Sequence, residues 1–327
     1  MKTKSTILIV TIFTFALFLS SPVAGAVKTL KAVSMLPVNH PMSVYVKVWV
    51  EKINKLDPTN FQINYVGGPE VIPATDQAEA VRKGVAQIAF TPTAYYAPMI
   101  PEADVFTLSQ YTPWEERTKA SGFYDLMVKC HEKINVHYVG RWLYSPFHLW
   151  FREPFKSLTD LKGRRMRTLA LHDRYMRELE MVPVSISHGD TFTALERGTV
   201  QGFGWPMLGP RDYGWANYGK YILDPEYLNQ NSVILINLDI WKGFTPDMQK
   251  KIEEITINYE KEMVDYFKKE IEKEREILKN QVKAQFITLP YVDANKFITT
   301  VEAIEWGKLK EKVPNLYEEL RKVSIKR

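Results

Sequence analysis

Strand-like and helix-like hydrophobic patterns alternate along the first part of the chain. Val44, Val48 and Trp49 recur at the spacing of one helical face, and Thr75 stands where a helix N-cap is expected. The predicted elements are strands over residues 30–35, 61–66 and 85–90 and helices over 41–56 and 76–83. Strands that alternate with helices at this pitch indicate an α/β domain with a largely parallel sheet.

The rest of the chain adds further elements, among them one very long helix. It is predicted over residues 246–282, with apolar side chains on one stripe and no glycine or proline after Pro246. At about 1.5 Å per residue such a helix can brace two domains. A coiled-coil dimer is the alternative, although the apolar spacing is not a sustained heptad. The other predicted helices cover 113–133, 173–180, 188–198 and 238–243, and two more begin at 293 and near 315. The other predicted strands cover 135–142 and 285–288, with short strands at Val184 and from Val200, a crossing strand over 143–152 and a strand over 231–237 that returns to the first sheet.

The N-terminal residues have the pattern of a secretory signal peptide. Lys2 and Lys4 precede an apolar run over residues 7–19, and the sequence Ala-Gly-Ala ends at residue 26. The run is short for a membrane span, and a retained anchor is the alternative. No cysteine follows the run, which disfavours a lipid anchor. We therefore predict cleavage after residue 26 and a soluble periplasmic chain.

Composition limits the remaining classes of function. The 327 residues, 45% apolar and 25% charged, suit one or two globular domains with a hydrophobic core. Cys130 is the single cysteine, so no internal disulfide can form, and we interpret it as a packing residue. The net charge of +5 accompanies interleaved Glu and Lys without a basic block, which argues against nucleic acid as a partner.

Several polar and aromatic residues follow the predicted strands of the first domain. In α/β sheets ligands bind beyond the carboxyl ends of the strands. That rule selects Asn39 and His40, Glu70, and the loop residues Tyr95 and Tyr96 as candidate ligand contacts. A capping or core role is the alternative for His40, and burial in the core is the alternative for either tyrosine.

The stretch over residues 160–168 contains a Gly163 turn followed by a strand with three arginines. Alternate side chains of a strand face opposite sides, so Arg165 and Arg167 share one face while Arg164 lies on the other. A guanidinium offers a rigid fork of donors that matches a carboxylate. The stretch is therefore a candidate anion receptor, and a solvated basic strand is the alternative.

The order of motifs resembles the solute-binding proteins of TRAP transporters, the tripartite ATP-independent periplasmic family. The chain has Asp-Leu-Lys-Gly-x-x-x-Arg over 160–167, Ala-Leu-x-x-Gly over 194–198 and Val-x-Gly over 200–202, after Gly-Gly-Pro-Glu-Val over 67–71. The resemblance implies a two-lobed α/β fold of the periplasmic-binding-protein type, with crossing strands and a long helix that spans both lobes. We place lobe I at 27–144 plus 233–272 and lobe II at 145–232 plus 273–327.

In the family the last arginine of the Lys-Gly-x-x-x-Arg motif pairs with the ligand carboxylate, and that position here is Arg167. Sialic-acid-type members carry a further arginine near the position of Phe147 and an asparagine at the position of Trp205. Members that bind 2-oxo acids have a run like Trp-Phe-Arg152 and a tryptophan like Trp205. They also have a cation-holding glutamate where this chain has Gly204. A metal-bridged ligand is therefore not expected.

These positions together predict an aromatic cleft around one arginine. Phe147, Trp205, Tyr95 and Tyr96 would form the walls, and a structural role in a loop is the alternative for Trp205. Arg152 is a candidate second anion contact, and a solvent-facing role is the alternative. The resemblance thus implies a small organic anion as ligand, which we expect to be a monocarboxylate with a hydrophobic or aromatic body. It implies no cofactor and no metal.

The predicted function is capture of this acid and its delivery to the integral membrane subunits of a TRAP transporter. The lobes would close over the ligand, and the chain would be a monomer or a dimer. No His-Glu-x-x-His, Gly-x-Ser-x-Gly, phosphate loop or Cys-x-x-Cys motif is present, so an enzyme is not expected. A secreted hydrolase without a short motif and the ligand-binding component of a sensor are the alternatives.

Overall fold

The computed structural model describes residues 28–119, 122–168, 172–230 and 232–326. The predicted signal peptide lies outside these residues. Within them the strands form two sheets, and the first has the order β2-β1-β3-β10-β4. Its strands are β1 (Lys28–Ser34), β2 (Phe61–Gly67), β3 (Ile88–Pro92), β4 (Val136–Arg141) and β10 (Ser232–Asn237). β1 runs parallel to β2 and β3, whereas β10 is antiparallel to both β3 and β4.

The second sheet has the order β11-β9-β5-β8-β6-β7. Its strands are β5 (Phe147–Phe151), β6 (Arg165–Thr168), β7 (Val182–Ser185), β8 (Gly202–Pro206), β9 (Tyr221–Asp224) and β11 (Gln285–Thr288). The chain passes from the first sheet to the second through residues 142–146, and β10 brings it back. The predicted crossing and the predicted return of residues 231–237 to the first sheet are confirmed for the described residues.

Helices cover both faces of each sheet and form the hydrophobic cores with them. In β3 the alternation of the strand is visible, because Ile88 and Phe90 lie in one cluster and Ala89 lies in another. The second sheet has two further clusters. The helices are α1 (Val44–Asn54), α2 (Gln77–Arg82), α3 (Val105–Leu108), α4 (Pro113–Thr118), α5 (Phe123–Glu132), α6 (Asp173–Glu178), α7 (Thr191–Glu196), α8 (Leu238–Lys242), α9 (Pro246–Ile277), α10 (Tyr291–Lys312) and α11 (Tyr317–Ser324).

The long helix α9 confirms the prediction made from its uninterrupted apolar stripe. Thr245 caps its first turn by accepting a hydrogen bond from the Met248 amide at 3.2 Å, with Pro246 at the first helical position. Met263 packs in a core cluster of the first sheet, and Ile271 packs in a cluster of the second. α9 therefore contacts both lobes.

Three details differ from the sequence-based expectations. The helix predicted over 113–133 is two helices, because Gly122 takes a left-handed conformation with φ of 84° just before α5. Thr75 does not cap α2, since it lies inside a 3₁₀ turn over Ala74–Asp76. Leu309 and Leu320 pack in a core cluster of the first sheet, although residues 273–327 were assigned to the second lobe. The last two helices thus reach back across the molecule. Among the described residues, none of the helices combines the length and apolar content that crossing a bilayer requires.

Candidate functional site

Arg167 lies in the interior of the second lobe, on β6 between β7 and β8. Arg167 is only 2% exposed to solvent, and its Nε donates a hydrogen bond to the Ile186 carbonyl at 3.0 Å. Its Nη2 is buried without a hydrogen-bond partner in the described part of the chain. Burial lowers the pKa of this guanidinium to about 10. An anion that paired with Arg167 would relieve the cost of this buried charge.

Two tryptophans of the second lobe surround the Arg167 guanidinium. Its carbon lies 5.7 Å from the ring centroid of Trp205, at the end of β8, and 5.7 Å from that of Trp215. Cation–π attraction favours this arrangement. The indole Nε1 of Trp205 is a second buried donor without a partner in the described residues. The two free donors belong to groups in contact with one another, so one ligand could accept from both.

The first lobe contributes Tyr95 and His40 to the same group. Tyr95 ends a 3₁₀ turn that follows β3, and burial raises the pKa of its hydroxyl while the nearby charge of Arg167 opposes that shift. The His40 Nε2 atom lies 2.7 Å from the Tyr213 hydroxyl of the second lobe. Tyr213 in turn lies 5.1 Å from Trp215, between ring centroids. The structure therefore brings Arg167, Trp205, Tyr95 and His40 of the predicted set together.

Two other predicted ligand contacts, Tyr96 and Arg152, interact with groups of their own lobe. Tyr96 is buried in the core of the first lobe, where its hydroxyl bonds the His131 Nε2 at 2.9 Å, so it does not share the position of its neighbour Tyr95. The Arg152 guanidinium donates to the Leu195 carbonyl in α7 and lies 5.3 Å from the Tyr218 ring. The Arg152 guanidinium therefore interacts with the Leu195 carbonyl and the Tyr218 ring within the second lobe.

The remaining predicted contacts lie elsewhere on the lobes. Phe147 is half-buried and contacts His172 and Tyr227, with ring-centroid distances of 5.2 and 6.2 Å, in a different cluster from Trp205. Glu70 is exposed, and its carboxylate accepts a hydrogen bond from the Gly68 amide at 2.7 Å. Asn39 is exposed beside His40. The structure does not bring these three into contact with Arg167.

Sequence reasoning did not select Trp215, Tyr213 or His188. His188 lies at the rim, with its ring 4.4 Å from Tyr213 and 4.9 Å from Trp215. Partial burial lowers the pKa of its imidazole, and the charge of Arg167 lowers it further. A run rich in rings over residues 213–218 is the signal that could have identified the two aromatic residues.

The arrangement can hold an anion with a flat body. Arg167 supplies the positive charge and a free donor, and the rings of Trp205, Trp215 and Tyr213 supply apolar surface around it. Among the described residues, no group of three or more His, Cys, Asp or Glu side chains is placed to hold a metal ion. We call Arg167, Trp205, Trp215, Tyr213, Tyr95, His40 and His188 the cleft group.

Comparisons with known proteins agree with this architecture. The model of the family described as bacterial extracellular solute-binding protein, family 7, matches residues 32–309. A curated relative, the monocarboxylate 2-oxoacid-binding periplasmic protein of Nostoc sp. (strain PCC 7120), is 22% identical over 217 residues. The aligned region covers 63% of this chain and 59% of that relative, so the chain matches less than two thirds of its length.

Solved structures share the fold at low sequence identity. A TRAP periplasmic solute-binding protein of Desulfovibrio salexigens, with bound orotic acid, is 14% identical with a TM-score of 0.79, covering 90% of this chain and 97% of its own. DctP7 of Bordetella pertussis, an extracytoplasmic solute receptor binding pyroglutamic acid, is 15% identical with a TM-score of 0.76, covering 91% and 100%. At these identities the likeness shows a shared two-lobed fold.

Proposed function

The chain belongs to the family 7 extracellular solute-binding proteins, which serve TRAP transporters, and we propose that it captures a small organic acid through Arg167. The observation that carries this proposal is the buried guanidinium with a free Nη2 donor. A buried arginine normally pairs with a carboxylate, and the described part of the chain supplies none to it. The ligand's own carboxylate is the natural partner, held by the planar fork.

The body of the proposed ligand follows from the rings around Arg167. Trp205 and Trp215 meet at 5.2 Å in an edge-on arrangement, and Tyr213 closes a third side. Such walls favour a compact, flat or apolar body over a long flexible one. Orotic acid and pyroglutamic acid, bound by two proteins of the same fold, are compact ring carboxylates of this kind. The 2-oxo acids named for the curated relative are a second compact class.

The proposed mechanism is closure of two lobes and delivery to a membrane transporter. Tyr95 and His40 come from the first lobe, and Arg167, Trp205 and Tyr213 come from the second. A ligand that touches both sets binds the closed arrangement better and shifts the population towards it. The closed form would then dock on the membrane subunits of a TRAP transporter, in the periplasm after cleavage of residues 1–26. The proposal is binding without chemical turnover.

A ligand screen tests this function directly. Purified chain from residue 27 would be heated with pyruvate and longer 2-oxo acids, orotate, pyroglutamate, benzoate and aliphatic monocarboxylates, and with the methyl ester of each as a matched uncharged control. A binder present at 100 times its dissociation constant adds about 2.7 kcal/mol to the native state. We expect stabilisation by at least one free acid and none by its ester. Product formed from any compound would instead favour a secreted hydrolase, and equal shifts with acid and ester would contradict recognition of the carboxylate.

A further inference from the structure

Residues 209–214 form a compact loop beside the Arg167 site, between β8 and a 3₁₀ turn that begins at Trp215. The Tyr213 amide donates to the Gly209 carbonyl at 3.0 Å, which closes the loop on itself. Gly209 has φ of 107°, in the region of backbone conformation that favours glycine. We call residues 209–214 the wall loop.

The wall loop sets the position of rings that surround Arg167. It carries Tyr213, whose ring centroid lies 6.1 Å from that of Trp205 and 5.1 Å from that of Trp215. Its backbone also packs directly on this group, because a Cβ atom added at Gly209 would lie only 2.8 Å from the Tyr213 ring and 3.1 Å from the Trp205 Nε1. A small displacement of the loop would therefore change the space around the free donors of Arg167 and Trp205.

An ion pair fastens the wall loop to the long helix α9. The Arg211 Nε and Nη2 atoms donate to the two carboxylate oxygens of Glu274 at 2.8 and 2.9 Å. Two such parallel hydrogen bonds fix the orientation of the pair as well as its distance. The Glu274 side chain is 8% exposed, whereas that of Arg211 is 41% exposed. In the described part of the chain, the side chains of the wall loop form one other hydrogen bond outside the loop, between Tyr213 and His40 of the first lobe.

Helix α9 is a rigid base for this ion pair. Met263 packs in a core cluster of the first lobe and Ile271 in a cluster of the second, and Glu274 follows Ile271 by less than one helical turn. The next residue, Arg275, makes a separate ion pair with Asp224 at the end of β9, at 3.0 Å. Two neighbouring residues of α9 therefore hold two different parts of the second lobe, and only Glu274 holds the wall loop.

We propose that Glu274 and Arg211 are positioning residues that hold the wall loop, and with it Tyr213, in the arrangement that ligand binding requires. Both act through the loop rather than by touching the acid. Without the pair the loop would populate more arrangements, and an acid would bind only the competent fraction of them. The expected fall in affinity is roughly three- to tenfold, within the range for one net hydrogen bond. The inference concerns the proposed binding site, so it rests on the proposed function.

Hydrogen exchange in the ligand-free chain tests the loop without any acid. Glu274→Gln replaces the carboxylate by an amide of the same shape, which cannot accept both hydrogen bonds from a guanidinium. The amides of Tyr213 and Gly214, which donate within the loop, should then exchange roughly three- to tenfold faster. Arg275→Gln is the matched control, because it removes an ion pair between the same helix and β9. It should leave exchange at these two amides unchanged.

Calorimetry with pyruvate, orotate and pyroglutamate tests the consequence for binding. Glu274→Gln should bind those acids that the parent binds roughly three- to tenfold more weakly. Arg275→Gln should keep the parental affinity even where its melting temperature falls. If Arg211 acts only through Glu274, the double variant Arg211→Gln, Glu274→Gln should bind no more weakly than Glu274→Gln alone.

Three results would overturn the proposal. A lower melting temperature in Glu274→Gln with parental exchange and affinity would show that the pair only stabilises the fold, and faster exchange with parental affinity would show that the wall loop does not matter for binding. A further loss in the double variant would place Arg211 on the acid itself. If the parent binds none of the three acids, the proposed function loses its support, and the exchange measurement alone decides whether the pair holds the loop.

Discussion

Replacing Arg167 should separate ligand affinity from stability of the free protein. The guanidinium is 2% exposed with one free buried donor, so a bound carboxylate would form a fully desolvated pair with it. Removing one partner of such a pair typically costs about 3–5 kcal/mol, which lowers affinity by roughly two to three and a half orders of magnitude. We expect Arg167→Ala to abolish measurable binding of an acid found in the screen. Arg167→Lys should lose most of the affinity, because an ammonium cannot reproduce the planar fork.

The thermal stability of the ligand-free protein should not fall when Arg167 is replaced by an apolar side chain of similar volume. Arg167→Met loses the 3.0 Å hydrogen bond to the Ile186 carbonyl, at a cost of about 1 kcal/mol. It also removes a buried charge that has no counter-ion in the described residues, and replacing buried charges by apolar side chains of similar volume is often neutral or stabilising by about 1–4 kcal/mol. The ligand-free variant should therefore melt at or above the parental temperature while failing to bind.

The assay pairs isothermal titration calorimetry with thermal unfolding, and Arg165→Ala is the matched control. Arg165 lies on the same strand, but it is exposed and donates to the Thr199 and Gly198 carbonyls at 2.8 and 3.0 Å. Its loss should leave affinity within about threefold, since it lies outside the cleft group. Unchanged affinity in Arg167→Ala would refute the assignment of the carboxylate partner. A large fall in both affinity and melting temperature in Arg167→Met would show a structural role instead.

Three further predictions concern the wall of the site, the long helix and the buried ion pair. Trp205→Phe keeps apolar surface but removes the free Nε1 donor, so calorimetry should show an affinity loss of roughly three- to tenfold with little change in stability. Thr245→Ala removes the hydrogen bond to the Met248 amide that caps α9, and denaturant titration should show a loss of about 1 kcal/mol with unchanged affinity. Arg141→Ala removes the guanidinium that lies 3.0 Å from the Glu116 carboxylate, whose side chain is only 1% exposed. The free energy of unfolding should fall by about 3–5 kcal/mol, because a buried carboxylate loses its guanidinium partner. A loss below about 1 kcal/mol in denaturant titration would contradict a role of this ion pair in stability.

Most of the fold could be predicted from local patterns, and the failures have local causes as well. Strand β3 alternates between two cores as its sequence indicates, and the long helix α9 follows from an apolar stripe with a Thr-Pro start. The helix predicted over 113–133 fails at Gly122, because periodicity continues through a residue whose backbone turns left-handed. Tyr95 ends a 3₁₀ turn and Tyr96 follows it directly, yet the hydroxyl of Tyr95 is within the electrostatic influence of Arg167 while Tyr96 lies in the core of the first lobe.

By itself the sequence determined the class of fold and the strand that carries Arg167. Those properties depend on spacing along the chain: a period of two for strands, a period near 3.6 for helices, and a glycine turn before the arginines. Tertiary structure alone decided that Trp215 joins Trp205 beside the guanidinium and that His40 meets Tyr213. Arg167 and Trp205 lie on strands distant in sequence, whereas Trp215, Tyr213 and His40 lie outside the strands, where no repeating geometry gives the direction of a side chain.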